Sequence, residues 1–123
     1  SKVYRIFGTP YCHRFGSWAF MRDEETLVKK FNIIPENVDI LISHDAPYGT
    51  SDICFEGSAA SKGHIGCPEL RDVIIEKKPS YCFHGHLHTT NHEEEILNKT
   101  RVYNTSILNE QYEIVFKPLI IEL

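Results

Sequence analysis

The chain has 123 residues, 41% of them hydrophobic and 24% charged, which suits one globular domain with its own core and carries no compositional sign of disorder. A formal net charge of −4 argues against a nucleic-acid backbone partner, which calls for a basic face. The apolar runs at residues 38–42 and 119–121 are far short of the roughly 20 residues of a membrane span, so no membrane partner is expected, and no signal-peptide pattern opens the sequence.

In chain order, Val3-Tyr4-Arg5-Ile6-Phe7 alternates as a strand does, and Gly8-Thr9-Pro10 follows with turn chemistry. The aromatic loop beginning at Tyr11 is expected to be pinned on the core by Phe15, Trp18 and Phe20. Asp23-Glu24-Glu25-Thr26 starts a helix with Leu27, Val28 and Phe31 on its apolar side and Lys29-Lys30 near its end, as the helix dipole favours. Val38-Asp39-Ile40-Leu41-Ile42 reads as a strand buried on both faces. It empties into Ser43-His44-Asp45, where sites in α/β folds are built.

Residues 50–66 lack periodicity and form a long loop of the kind that carries function. Gly66-Cys67-Pro68 opens a second helix, with proline at its first position, an apolar face of Leu70, Val73, Ile74 and marginally Ile75, and an end at Lys77-Lys78-Pro79. Ser80-Tyr81-Cys82-Phe83 is the next strand. The strand, helix, strand spacing is that of a β-α-β unit, which sets the strands before His44 and His86 parallel and close. Residues 93–98, 101–104, 112–116 and 119–122 read as strands of an antiparallel meander. The fold class is therefore α/β, with residues 1–123 as one domain.

The four cysteines, Cys12, Cys54, Cys67 and Cys82, contain no Cys-x-x-Cys and are expected to be reduced, which fits a cytoplasmic setting. Seven histidines carry most of the chemistry. In Gly85-His86-Leu87-His88 two imidazoles stand at i and i+2, and with His44 they offer three neutral nitrogen ligands from two loops at one sheet edge. Gly85 is expected to let the backbone turn close beneath such a site. Asp45 is either an acceptor that orients an imidazole or a solvated loop acid, and His64 either contacts a substrate phosphate or lies on the surface. Asp52 is expected to tie down its loop and His84 to bond backbone. His13 and His92 receive no role, Asn91-His92 reads as a hairpin pair, and Glu93-Glu94-Glu95 reads as a solvated strand face.

The ordered set Ser43-His44-Asp45-Ala46-Pro47, Gly66-Cys67-Pro68-Glu69-Leu70, Gly85-His86-Leu87-His88 and Tyr103-Asn104-Thr105-Ser106 resembles the C-terminal motifs of calcineurin-like metallophosphoesterases. Phe7-Gly8-Thr9-Pro10-Tyr11 and Trp18-Ala19-Phe20 resemble segments of a small branch that includes brain-expressed animal phosphodiesterases. The resemblance implies a four-layer αββα sandwich of which this chain is the C-terminal half. It also implies two divalent ions (Mn, Fe or Zn) that hydrolyse a phosphoester, with His44 and His86 on one ion and His88 on the other. The family's Asp-x-His, Gly-Asp and Gly-Asn-His segments do not occur in these 123 residues, so no catalytic histidine is assigned. The expectation that follows is a chain inactive or nearly so by itself, holding at most one metal weakly, with a missing N-terminal half or a second copy covering its exposed sheet. The competing expectation is a non-catalytic protein-binding scaffold with the same fold; a further one is a mononuclear zinc module.

Overall fold

The computed structural model describes residues 2–54, 63–88 and 90–123. The elements run β1 (Ile6–Thr9), β2 (Cys12–His13), β3 (Met21–Arg22), α1 (Glu24–Asn32), β4 (Ile40–Ser43), β5 (Ile53–Cys54), β6 (Gly63–His64), α2 (Pro68–Lys77), β7 (Tyr81–His84), β8 (Glu95–Leu97) and β9 (Thr100–Asn104). Five strands form one mixed sheet in the order β1-β4-β7-β9-β8. The first four are parallel and only β8 runs against its neighbour.

The helices begin and end where the sequence chemistry says they should. Asp23 accepts a hydrogen bond from the Thr26 backbone N–H at 2.9 Å, which caps α1. Pro68 opens α2, and Lys78 closes it in the left-handed region with φ 54. Both helices lie on one face of the sheet, where Leu27, Phe31, Leu70, Val73 and Ile74 pack with Leu41, Cys82 and Val102. Those three sheet residues are adjacent in register across β4, β7 and β9, so one row of alternate side chains builds the floor of the core.

The opposite face begins one residue later in each strand, at Ile42, Phe83 and Tyr103. The rings of Phe83 and Tyr103 stack at 5.6 Å. Leu119, Ile121 and Leu123 share a cavity with Ile40, Ile42 and Phe83, so the C-terminal segment crosses this face. It covers the face only in part, since Ile42 is 49% and Ile6 61% exposed. The expectation of a strand buried on both faces is corrected accordingly: helices cover one side of β4, while Ile42 on the other meets solvent.

Other expectations change as well. Gly8-Thr9 continues β1 instead of ending it, because Gly8 and Thr9 pair with Ile42 and Ser43. The meander reduces to the single antiparallel pair β8–β9, since β9 pairs with β7 in parallel. Residues 112–116 and 119–122 form no strands. Instead the chain after β9 folds on itself, with the backbone N–H groups of Val115 and Phe116 both donating to the Ile107 carbonyl. His92 is no hairpin residue: its ring stacks on Phe116 and its Nε2 donates to the Ser106 carbonyl at 3.0 Å. Of the expected loop at 50–66, the flanks β5 and β6 pair antiparallel, and residues 55–62 lie outside the described residues. Among the described residues no helix is long and apolar enough to cross a membrane.

Candidate functional site

Four parallel strands end at Thr9, Ser43, His84 and Asn104, which stand side by side. Three of the four segments that leave this edge carry candidate chemistry: His13 after β1, His44 after β4, and His86 with His88 after β7. This is the carboxyl edge at which open α/β sheets bind ligands.

The loop after β7 is fixed by buried polar residues. Thr105 donates its backbone N–H and its hydroxyl to the His84 carbonyl at 2.7 and 2.8 Å. The buried Asn104 amide donates to the Leu87 carbonyl and the Thr90 hydroxyl, both at 2.6 Å. His84 itself is structural, as expected. Its Nδ1 donates to the Gly85 carbonyl at 3.1 Å and its Nε2 accepts from the Ser51 hydroxyl at 3.0 Å. Burial lowers its pKa to about 4, which keeps the ring neutral.

The special backbone in this loop belongs to His86, with φ 66, and not to Gly85. A Cβ on Gly85 would meet only the Ser106 hydroxyl at 3.7 Å, an ordinary contact. A left-handed histidine is uncommon and is held here by the bonds on either side of it.

The His44 and His86 rings meet with centroids 4.5 Å apart. Burial, and secondarily the neighbouring His44, lower the pKa of His86, so its imidazole is neutral and free to coordinate. His88 sits beside this pair but faces another group: its Nδ1 lies 2.8 Å from the Asn109 carbonyl. A carbonyl only accepts, so Nδ1 carries the proton and Nε2 keeps the lone pair. That is how metal-ligating histidines are oriented. The donor chemistry of His44, His86 and His88 therefore fits divalent metal ions.

Asp45 is buried and does orient an imidazole, but the imidazole is that of His13 and not His44. Its carboxylate accepts from His13 Nδ1 at 2.6 Å, from the His13 backbone N–H at 2.9 Å and from the Ala46 backbone N–H at 2.9 Å. The Asp45 hydrogen bond raises the His13 pKa against the opposing effect of burial. The ligating atoms of His13, Asp45 and Cys67 lie within 4.8 Å of one another, a group able to offer three ligands. Within the trio His13 bonds Asp45, while the Cys67 thiol donates to Glu69 at 3.2 Å and is raised in pKa chiefly by burial. No local sequence signal marks His13, because its contact joins segments 32 residues apart.

Asp52 ties its loop down by accepting from the backbone N–H groups of Gly49 and Gly66, both at 2.9 Å. It also accepts from His64 Nδ1 at 2.7 Å, so His64 is exposed yet held. The aromatic loop behaves contrary to expectation: Phe15, Trp18 and Phe20 are 55%, 73% and 46% exposed. Phe15 does not pack in the core but stacks on His86 at 5.2 Å, with Trp18 edge-on to it. Phe20 instead packs edge-on against Tyr11, whose ring lies against the core.

Comparison with known proteins adds kinship to geometry. No protein-family profile matches the chain. It is 31% identical over 122 residues to metallophosphoesterase domain-containing protein 1 of Homo sapiens, covering 98% of this chain and 36% of the relative. It is 30% identical over 125 residues to a UPF0046 protein of Caenorhabditis elegans, covering 96% and 29% respectively. Lariat debranching enzyme of Schizosaccharomyces pombe is 27% identical over 95 residues, which span 69% of this chain and 20% of the enzyme. The chain thus spans about a third of the length of the first two relatives. A solved crystal structure shares the fold over 82% of this chain and 39% of its own, with TM-score 0.54 at 21% identity.

Proposed function

We propose that this chain, a relative of the metallophosphoesterases over nearly its whole length, supplies part of a dinuclear metal centre that hydrolyses phosphoesters. The observation that carries the proposal is the meeting of the His44 and His86 rings, 4.5 Å apart at the carboxyl edge of the parallel sheet. Two ions of Mn, Fe or Zn would supply an activated water and charge neutralisation at phosphorus.

The chain's own residues do the rest of what is proposed here. His44 and His86 offer ligands to one ion and His88 Nε2 to the other, while Asn104 and Asn109 hold the loops that present them. The remaining ligands come from residues other than these 123, in a four-layer sandwich whose second half, or a second copy, covers the sheet face bearing Ile6 and Ile42. A cytoplasmic setting belongs to the same proposal and is supported by the three buried thiols of Cys12, Cys67 and Cys82, which form no disulfide.

Metal analysis together with hydrolysis of bis(p-nitrophenyl) phosphate tests this reading. The native protein should bind two equivalents of metal and turn over the ester, and H44A and H86A should each lose metal and at least about 100-fold in rate, as expected when a ligand that builds the site is removed. The 123-residue chain alone should be inactive or nearly so and hold at most one weak ion. A folded native protein without metal or activity would leave the protein-binding scaffold as the function.

A further inference from the structure

Beside the His44–His86 pair lies a cavity of about 520 Å³, lined among others by His13, Phe15, Tyr48, His64, Pro68 and His86. Two of its histidines share an arrangement that the metal reading does not use. His13 Nδ1 is 2.6 Å from Asp45 and His64 Nδ1 is 2.7 Å from Asp52. Both carboxylates are fully buried. Each is anchored by two backbone N–H groups, those of His13 and Ala46 for Asp45 and those of Gly49 and Gly66 for Asp52.

A carboxylate fixed in this way fixes the ring that donates to it. With Nδ1 committed, Nε2 is the remaining polar atom of each imidazole. Two separately built pairs, one with its histidine on β2 and the other on β6, line one cavity, and no carboxylate is among its described lining residues. The rest of the lining is aromatic or aliphatic, so the imidazoles dominate its polar chemistry. Such convergence of a few oriented polar groups in an apolar cleft is how ligand sites gain specificity.

We propose that this cavity is an oxyanion subsite, in which His13 and His64 together bind a phosphate group of the ligand other than the one hydrolysed. Each histidine is flanked by an aromatic wall of the cavity, His13 by Phe15 at 6.1 Å and His64 by Tyr48 at 5.6 Å between ring centroids. Donation from Nε2 uses the imidazolium, in which both ring nitrogens carry protons, and the Asp45 hydrogen bond raises the His13 pKa toward that form. The inference rests on the proposed hydrolysis only in placing this group on a phosphoester substrate; the binding itself requires no reaction.

The test is a titration of the chain with inorganic phosphate in the presence of EDTA, followed by nitrogen-15 NMR of the histidine side chains. Chelation removes the metal, so phosphate held by bound ions does not contribute. The expected result is that the Nε2 signals of His13 and His64 move together with a single dissociation constant. The double variant H13Q/H64Q should bind phosphate at least tenfold more weakly, and benzyl alcohol should leave both signals in place. The wild-type titration stands even where the variant fails to fold. Stationary signals at His13 and His64, or movement confined to His44 and His86, would overturn the inference. Phosphate binding to the pair without any hydrolysis by the native protein would leave it standing while the proposed activity falls. Hydrolysis with stationary signals would do the reverse.

Discussion

The imidazole of His13 and the carboxylate of Asp45 meet at 2.6 Å and join β2 to the loop after β4. This bond makes Asp45 a positioning residue, and its consequence is measurable in the ring it holds. In the wild type His13 should titrate above the ordinary histidine value, because Asp45 stabilises the imidazolium. D45N should bring the value down to or below the ordinary one, since burial then acts with less opposition. Its sign for stability follows: the contribution is full below the unfolded value and is lost as pH rises through the folded value. NMR titration of His13 in both proteins checks this, and an unchanged value in D45N would refute the assignment.

His84 gives the opposite pH dependence. Its folded value, about 4, lies below the ordinary histidine value of about 6.5, so the unfolded state takes up the proton first. Stability from this residue is full above pH 6.5 and is lost as pH falls from there toward 4, by on the order of 3 kcal/mol. Urea unfolding at a series of pH values should show that slope. H84Q should flatten it, at some cost in stability at pH 7 from altered bonds to Ser51 and Gly85.

Gly66 is a glycine for lack of space. A Cβ there would stand 2.7 Å from the carbonyl carbon and oxygen of Pro47 and 2.8 Å from the Ala46 oxygen, all backbone. G66A should therefore destabilise by about 2–3 kcal/mol or more, because the strap between the β4 loop and α2 must move. Gly16 has nothing within 4 Å of its added Cβ, so G16A should alter stability by less than about 0.5 kcal/mol. Thermal melts of the two variants decide the contrast.

The cysteines should differ in reactivity. Cys12, Cys67 and Cys82 are buried, and burial pushes the Cys82 thiol up to about 12. Cys54 is partly exposed on β5. Brief iodoacetamide treatment at pH 8, read by mass spectrometry of peptides, should label Cys54 first and reach the other three only on unfolding. Equal labelling of Cys67 in the native protein would contradict its place beneath the site.

The sequence by itself determined the two helices, with Asp23 and Pro68 at their starts, and the parallel β-α-β spacing that delivers His44 and His86 to one edge. Those features are local: caps, prolines and apolar periods act within a few residues. It also carried the four ordered motifs, and with them the kinship to metallophosphoesterases. Only the tertiary structure decided that Asp45 holds His13, that Phe15 leaves the core to stack on His86, and that residues after Asn104 fold on themselves instead of extending the sheet. Each of these depends on which distant segment arrives alongside. The oxygens of Asp45 find the His13 ring because β1 and β4 pair in parallel, and that pairing comes from packing across the whole sheet.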